Sequence, residues 1–202
     1  MIVIIDYNVG NVKSVLNACK RIGLEAIISR DEEEIKKAKG IILPGVGSFA
    51  VAMENLKKYG LVELLNDRKE NNIPIIGICL GMQILFEKGF EVEECKGLGY
   101  LKGNVDMIKT TEKLPHMGWN QLYFNRQNQI LKNINEKEDV YFVHSFMADF
   151  NNENVIAYTE YGGVKIPAIV GMDNVIGCQF HPEKSGEVGE RILKAWKEIV
   201  EC

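Results

Sequence analysis

The stretch Ile73–Glu87, IPIIGICLGMQILFE, constrains this chain more than any other. An apolar run leads into Gly77-Ile78-Cys79-Leu80-Gly81, and the segment after it reads as a helix. This is the G-x-nucleophile-x-G arrangement of a strand-to-helix elbow, with sulfur where a hydrolase carries a serine hydroxyl. So tight a turn leaves no room for side chains at Gly77 and Gly81. It lifts the sulfur to the open end of a sheet. It also places the sulfur at a helix N-terminus, whose dipole favours thiolate over thiol. A cysteine in an apolar run is ordinarily a small buried hydrophobe, so reading Cys79 as a nucleophile requires a base elsewhere in the chain.

The segments before the elbow alternate. Ile2–Ile5 is a continuous β-branched run, the mark of a buried parallel strand. Val12, Val15, Leu16, Cys19 and Ile22 follow at helical spacing, and Gly23 stops that helix. Residues 25–29 read as a second strand, and Asp31 with Glu34 as a capping-box start to a short helix. A third strand at 41–43 runs into Pro44-Gly45-Val46-Gly47, and Ser48 is placed to cap the next helix. A further helix at 61–70 leads to the nucleophile strand. The order predicts an open, mostly parallel α/β sheet with helices on both faces, flavodoxin-like in class.

After about Glu91 the pattern changes to short strands at 105–108, 120–124, 140–146, 155–159 and 168–172. Tyr161-Gly162-Gly163-Val164 reads as a hairpin tip. These predict a small antiparallel or mixed elaboration packed beside the parallel sheet. A last strand, 175–180, ends in His181-Pro182-Glu183, and residues 187–200 close the chain as an amphipathic helix with Ile192, Leu193, Trp196 and Ile199 inward. No repeat or low-complexity linker divides the chain, so one domain over residues 1–202 is expected.

Composition narrows the function. The net charge of −4 comes with no basic run, which argues against a nucleic-acid surface. Five cysteines, an odd number without a C-x-x-C, fit a reducing cytoplasm and suggest no zinc site. No metal or cofactor is expected. MIVIIDY reads as a strand, not a signal peptide, and no apolar run is long enough for a membrane span.

Only three histidines, 116, 144 and 181, are available as a base for Cys79. His181 has the best setting, at the end of an apolar strand where sheet proteins present side chains to a crevice. Pro182 holds it extended. In an extended segment Glu183 shares its side, accepts a hydrogen bond from its ring and favours a thiolate–imidazolium pair. By elbow geometry the Leu80 N–H is one oxyanion donor, and the Pro44–Gly47 loop is the candidate for the second.

GICLGMQ at 77–83 with FHPE at 180–183 resembles the triad class of glutamine amidotransferases. The further stretches DYNVGN (6–11), LPGVGSF (43–49), LPHMGWN (114–120), YFVHSF (141–146) and FHPEKS (180–185) carry the resemblance over nearly the whole chain. They point within the class to glutaminase subunits of imidazole glycerol phosphate synthases. The resemblance implies hydrolysis of glutamine to glutamate and ammonia through a cysteine thioester, in support of histidine biosynthesis. It implies a heterodimer with a (β/α)8-barrel cyclase subunit that receives the ammonia. Position by position, it makes Cys79 the nucleophile, His181 the general base and acid, and Glu183 its orienter. Val46 and Leu80 match oxyanion donors, and Gly47, Gln83 and Ser145 match positions that hold glutamine. Trp119, Tyr141 and Lys184 match the interface with the cyclase. Asn8 and Phe146 depart from the pattern, standing where glycine and tyrosine are common.

Other readings are a stand-alone γ-glutamyl amide hydrolase, a glutaminase subunit of another amidotransferase, or a redox or binding module that keeps an elbow cysteine. His-Pro-Glu argues against the module, since a sensor cysteine needs no oriented imidazole. A dinucleotide site is weaker still, because residues 6–11 lack G-x-G-x-x-G.

Overall fold

All four residues of Ile2–Ile5 are buried, because the sheet they belong to is covered on both faces. The computed structural model describes residues 1–151 and 153–202. In its first part, strands and helices alternate: β1 (Ile2–Ile5), α1 (Val12–Arg21), β2 (Ala26–Ser29), α2 (Glu32–Lys37), β3 (Gly40–Gly45), α3 (Phe49–Lys58), α4 (Leu61–Glu70) and β4 (Ile75–Cys79). After a one-turn α5 (Leu80–Gln83) come β5 (Phe86–Phe90), β6 (Glu94–Lys96), β7 (Leu101–Met107), β8 (His116–Gln121) and β9 (Tyr123–Phe124). Then follow β10 (Asp139–His144), β11 (Phe146–Ala148), β12 (Val155–Tyr161), β13 (Val164–Met172), β14 (Val175–Cys178) and α6 (Gly186–Glu201).

The central sheet has the order β2-β1-β3-β4-β14-β13-β12-β9. From β2 to β14 the strands are parallel. The remaining three are antiparallel. Alternate residues of β1 face opposite layers. Ile2 and Ile4 pack with Val15 and Cys19 of α1 and with Ile192 and Trp196 of α6. Val3 and Ile5 pack with Ile35 of α2, Met53 of α3 and Leu65 of α4. Each such side chain withdrawn from water contributes roughly 1.5–3 kcal/mol, so both layers hold the sheet.

The elaboration divides differently from the sequence expectation. Strands β13, β12 and β9 extend the central sheet beyond β14 instead of standing beside it. The separate pieces are a four-stranded sheet, β11-β7-β5-β6, and a two-stranded ribbon, β10-β8. The hairpin tip is where the sequence puts it, with Tyr161 paired to Val164 and positive φ at Gly162 and Gly163, as a type I′ turn requires. Asp31 caps α2 through the Glu34 N–H. Ser48 occupies the N-cap of α3 but makes no cap bond with its side chain. The Glu91 carboxylate takes that role instead, accepting from Phe49 N at 2.8 Å. The helix expected after Cys79 ends at Gln83, because Ile84, Leu85 and Phe86 pair through their backbones with residues 98–101.

Candidate active site

The sulfur sits where three backbones meet. Cys79 is the last residue of β4 and takes φ 54°, ψ −111°, a strained conformation that holds a nucleophile at the tip of an elbow. Its register partner on β3 is Gly45, so the Pro44–Gly47 loop starts beside it. A Cβ on Gly77 would lie 2.5 Å from the Gly81 carbonyl oxygen, and one on Gly81 would lie 1.8 Å from the Leu43 carbonyl oxygen. Both elbow glycines are thus required by backbone-to-backbone contact, as the sequence predicts. The dipole expected to favour the thiolate shrinks to that of the single turn Leu80–Gln83.

Gly45 is a packing glycine, since a Cβ there would meet the Tyr7 hydroxyl at 2.8 Å and Gly81 N at 2.9 Å. Tyr7 also pins the strand end by donating to the Pro44 carbonyl at 2.5 Å. Freedom in the loop is left to Val46, which is 45% exposed, and to Gly47, at φ +106° with open space around it. Asn8 takes φ 61°, which asparagine tolerates in place of glycine. It is held there by Arg30 at 2.8 Å and Tyr59 at 2.6 Å.

A cavity of about 280 Å³ opens over the sulfur, lined among others by Val46, Gly47, Leu80, Gln83, Ser145 and His181. The structure therefore brings together the expected nucleophile, base, oxyanion and glutamine-site positions.

His181 is 2% exposed. Its Nδ1 lies 2.8 Å from Glu183 Oε1, which places the ring proton on Nδ1 and leaves Nε2, buried and without a hydrogen-bond partner among the described residues, for a proton from elsewhere. Burial opposes the charge on His181, but the Cys79 sulfur and the Glu183 carboxylate outweigh it and lift the pKa to about 9. The pairing arises differently from the expectation. His181 is extended, but Glu183 lies in a 3-10 turn, Pro182–Lys184, that folds its carboxylate back under the ring.

Matching the chain against known families gives "Glutamine amidotransferase class-I" over residues 3–197. The chain belongs to the class-I glutamine amidotransferases. A relative from Lactococcus lactis subsp. lactis (strain IL1403), "Imidazole glycerol phosphate synthase subunit HisH", is 60% identical over 199 residues, 98% of each chain. The subunit of the same name from Bacillus cereus (strain AH187) is 46% identical over 201 residues, 100% of this chain and 96% of the relative. A crystal structure of a glutamine amidotransferase superposes with TM-score 0.77 at 21% identity, covering 99% of each chain, a likeness of fold.

Other positions of this amidotransferase lie on the β10–β8 ribbon. Met117 and Trp119, which precede the strand expected at 120–124, are on the outer face of β8, 60% and 56% exposed. Trp119 pairs with Tyr141 across the ribbon, their rings edge-to-face at 5.9 Å. Lys184 is exposed on the turn that carries Glu183. Opposite this face, His116 and His144 are buried. Their ring nitrogens are 3.0 Å apart, His116 Nε2 faces the Asn120 side chain at 2.7 Å, and His144 Nδ1 faces the Phe146 carbonyl at 2.7 Å. Burial keeps His144 neutral, lowering its pKa to about 3. Both histidines stood in quoted motifs without a role. The period-2 pattern around Trp119 and Tyr141 would have turned them inward. Gln179, beside the sulfur, was missed altogether.

Proposed function

We propose that this chain is the glutaminase subunit of an imidazole glycerol phosphate synthase, acting as one amidotransferase domain. It hydrolyses glutamine to glutamate and ammonia. It pairs with a (β/α)8-barrel cyclase subunit that consumes the ammonia in histidine biosynthesis. The 60% identity to the Lactococcus subunit over nearly all of both chains carries this reading. Cytoplasmic placement rests on five cysteines that are all free thiols.

In the proposed mechanism, His181 Nε2 takes the thiol proton and Cys79 Sγ attacks the carboxamide carbon. The oxyanion is received by the backbone N–H groups of Leu80 and Val46, while Gly47, Gln83 and Ser145 line the glutamine-binding cavity. His181 then gives its proton to the departing nitrogen, ammonia leaves, and a thioester remains. Water attacks the thioester with His181 again as base. Glutamate departs as the proton returns to sulfur. Glu183 stabilises the imidazolium in both halves. Trp119, Tyr141 and Lys184 form the face presented to the cyclase.

The test is glutamate release, with and without the cyclase subunit and its nucleotide substrate. Cys79→Ala should abolish it while leaving complex formation intact, because no thioester can form and only one atom is lost from a cavity wall. A Cys79→Ala complex that keeps a tenth of the wild-type rate refutes the assignment.

A further inference from the structure

We infer that Gln179 is a further catalytic residue of this amidotransferase, its side-chain N–H donating to the Cys79 sulfur and stabilising the thiolate before attack. The inference rests on the reading of Cys79 as nucleophile and assigns a second group to that step. Gln179 is fully buried, and its Nε2 lies 3.8 Å from Sγ.

The direction of this amide is dictated by its neighbours. Gln179 Oε1 accepts from Gln83 Nε2 at 3.0 Å. The same Gln83 nitrogen donates to the Phe146 carbonyl, also at 3.0 Å. A carboxamide has two N–H groups, and these two bonds use both of Gln83's. The Phe146 carbonyl can only accept, so it decides which end of Gln83 faces inward. Gln83 in turn decides which end of Gln179 it meets, and the nitrogen of Gln179 is left to face the sulfur. Reversing Gln179 would set donor against donor at Gln83 and oxygen against sulfur at Cys79. The carbonyl that starts this sequence also accepts from His144, so the amides are tied to the buried pair on the ribbon.

A donor directed at sulfur favours the charged form. The titratable groups about the sulfur are His181 from the turn after β14, with Glu183 behind its ring, Tyr7 from the loop after β1, and His144 from β10. Burial keeps Tyr7 and His144 uncharged through the range where a thiol titrates. The His181–Glu183 pair and the Gln179 N–H are then what lower the cost of the thiolate, with a single helical turn adding little.

The experiment is the pH dependence of Cys79 alkylation by iodoacetamide in the full chain, followed peptide by peptide. The reagent requires neither the glutamine site nor turnover. His181→Ala should raise the pH midpoint. Gln179→Met should raise it by about one unit, in keeping with one lost donor to a charged group. Gln83→Met, which frees the Gln179 amide to turn, should raise it by less. The double variant should go no further than Gln179→Met, because Gln83 reaches the sulfur only through Gln179. An unchanged midpoint in folded Gln179→Met, or additive shifts in the double variant, overturns the inference. Should Gln179→Met not fold, Gln83→Met decides it: a raised midpoint upholds the inference and an unchanged one overturns it. Midpoints unmoved by both His181→Ala and Gln179→Met would instead overturn the underlying reading of Cys79.

Discussion

Replacing Gly81 by alanine adds one methyl group at the tightest point of the molecule. The new Cβ would lie 1.8 Å from the Leu43 carbonyl oxygen and 2.8 Å from its carbon, where ordinary contact begins at 3.4 Å. The obstacle is backbone, so no rotamer relieves it. Leu43 is paired to Gly77 across β3 and β4, and moving it away means loosening that register. Overpacking costs about 1–3 kcal/mol, and each weakened ladder bond adds about 1 kcal/mol. Against this, alanine gains about 1 kcal/mol over glycine within a helical turn. With two such bonds weakened the balance is a loss of about 2–4 kcal/mol, in the upper part of the range for single substitutions. Urea unfolding of the purified variants would measure it. Gly60→Ala is the control, since Gly60 has φ +66° and nothing within 4 Å of a built Cβ. That variant should lose only about 1–2 kcal/mol, the cost of left-handed backbone. If Gly81→Ala proves no less stable than Gly60→Ala, the contact reasoning for the elbow is wrong.

Three further outcomes are expected. Glu183→Gln should lower the pKa of His181 from its value of about 9, and an NMR titration of the ring that still reads about 9 would deny Glu183 its role. Because the folded value lies above the ordinary 6.5, this pairing contributes stability fully at pH below 6.5 and loses it as pH rises through about 9; wild type should therefore lose more urea resistance than Glu183→Gln across that window. Trp119→Ala should weaken binding of the cyclase subunit by about 2 kcal/mol, as exposed aromatic anchors do at interfaces, without changing Cys79 alkylation in the free chain; calorimetric titration giving wild-type affinity would remove Trp119 from the interface.

What could be read from the sequence was what local chemistry dictates. Ile2–Ile5 is a strand because an unbroken β-branched run fits only between two covering layers. The elbow is legible because two glycines bracket one cysteine, and His181–Glu183 because a proline stands between them. Ile84-Leu85-Phe86 misled, since a short apolar run looks alike in a buried helix and a buried strand. What was missed depends on distant partners. Glu91 caps a helix that begins 42 residues earlier. Gln179 meets a sulfur 100 residues away. The membership of β12 and β13 in the central sheet follows from pairing with β14, which no local pattern encodes.

Tyr141 spends both of its backbone groups on the turn that holds the base. Its carbonyl accepts from His181 N at 3.0 Å, and its N–H donates to the Ser185 hydroxyl at 3.0 Å. Among the described residues, the strand it belongs to pairs only with β8. The base is therefore held from the ribbon as well as from β14, while the nucleophile is held from the central sheet. The gap between them is spanned on one side by the adjacent strands β4 and β14 and on the other by the ribbon's hold on the turn. The outer aromatic face and the base thus share one residue, Tyr141, whose ring meets Trp119 and whose backbone meets the turn of His181.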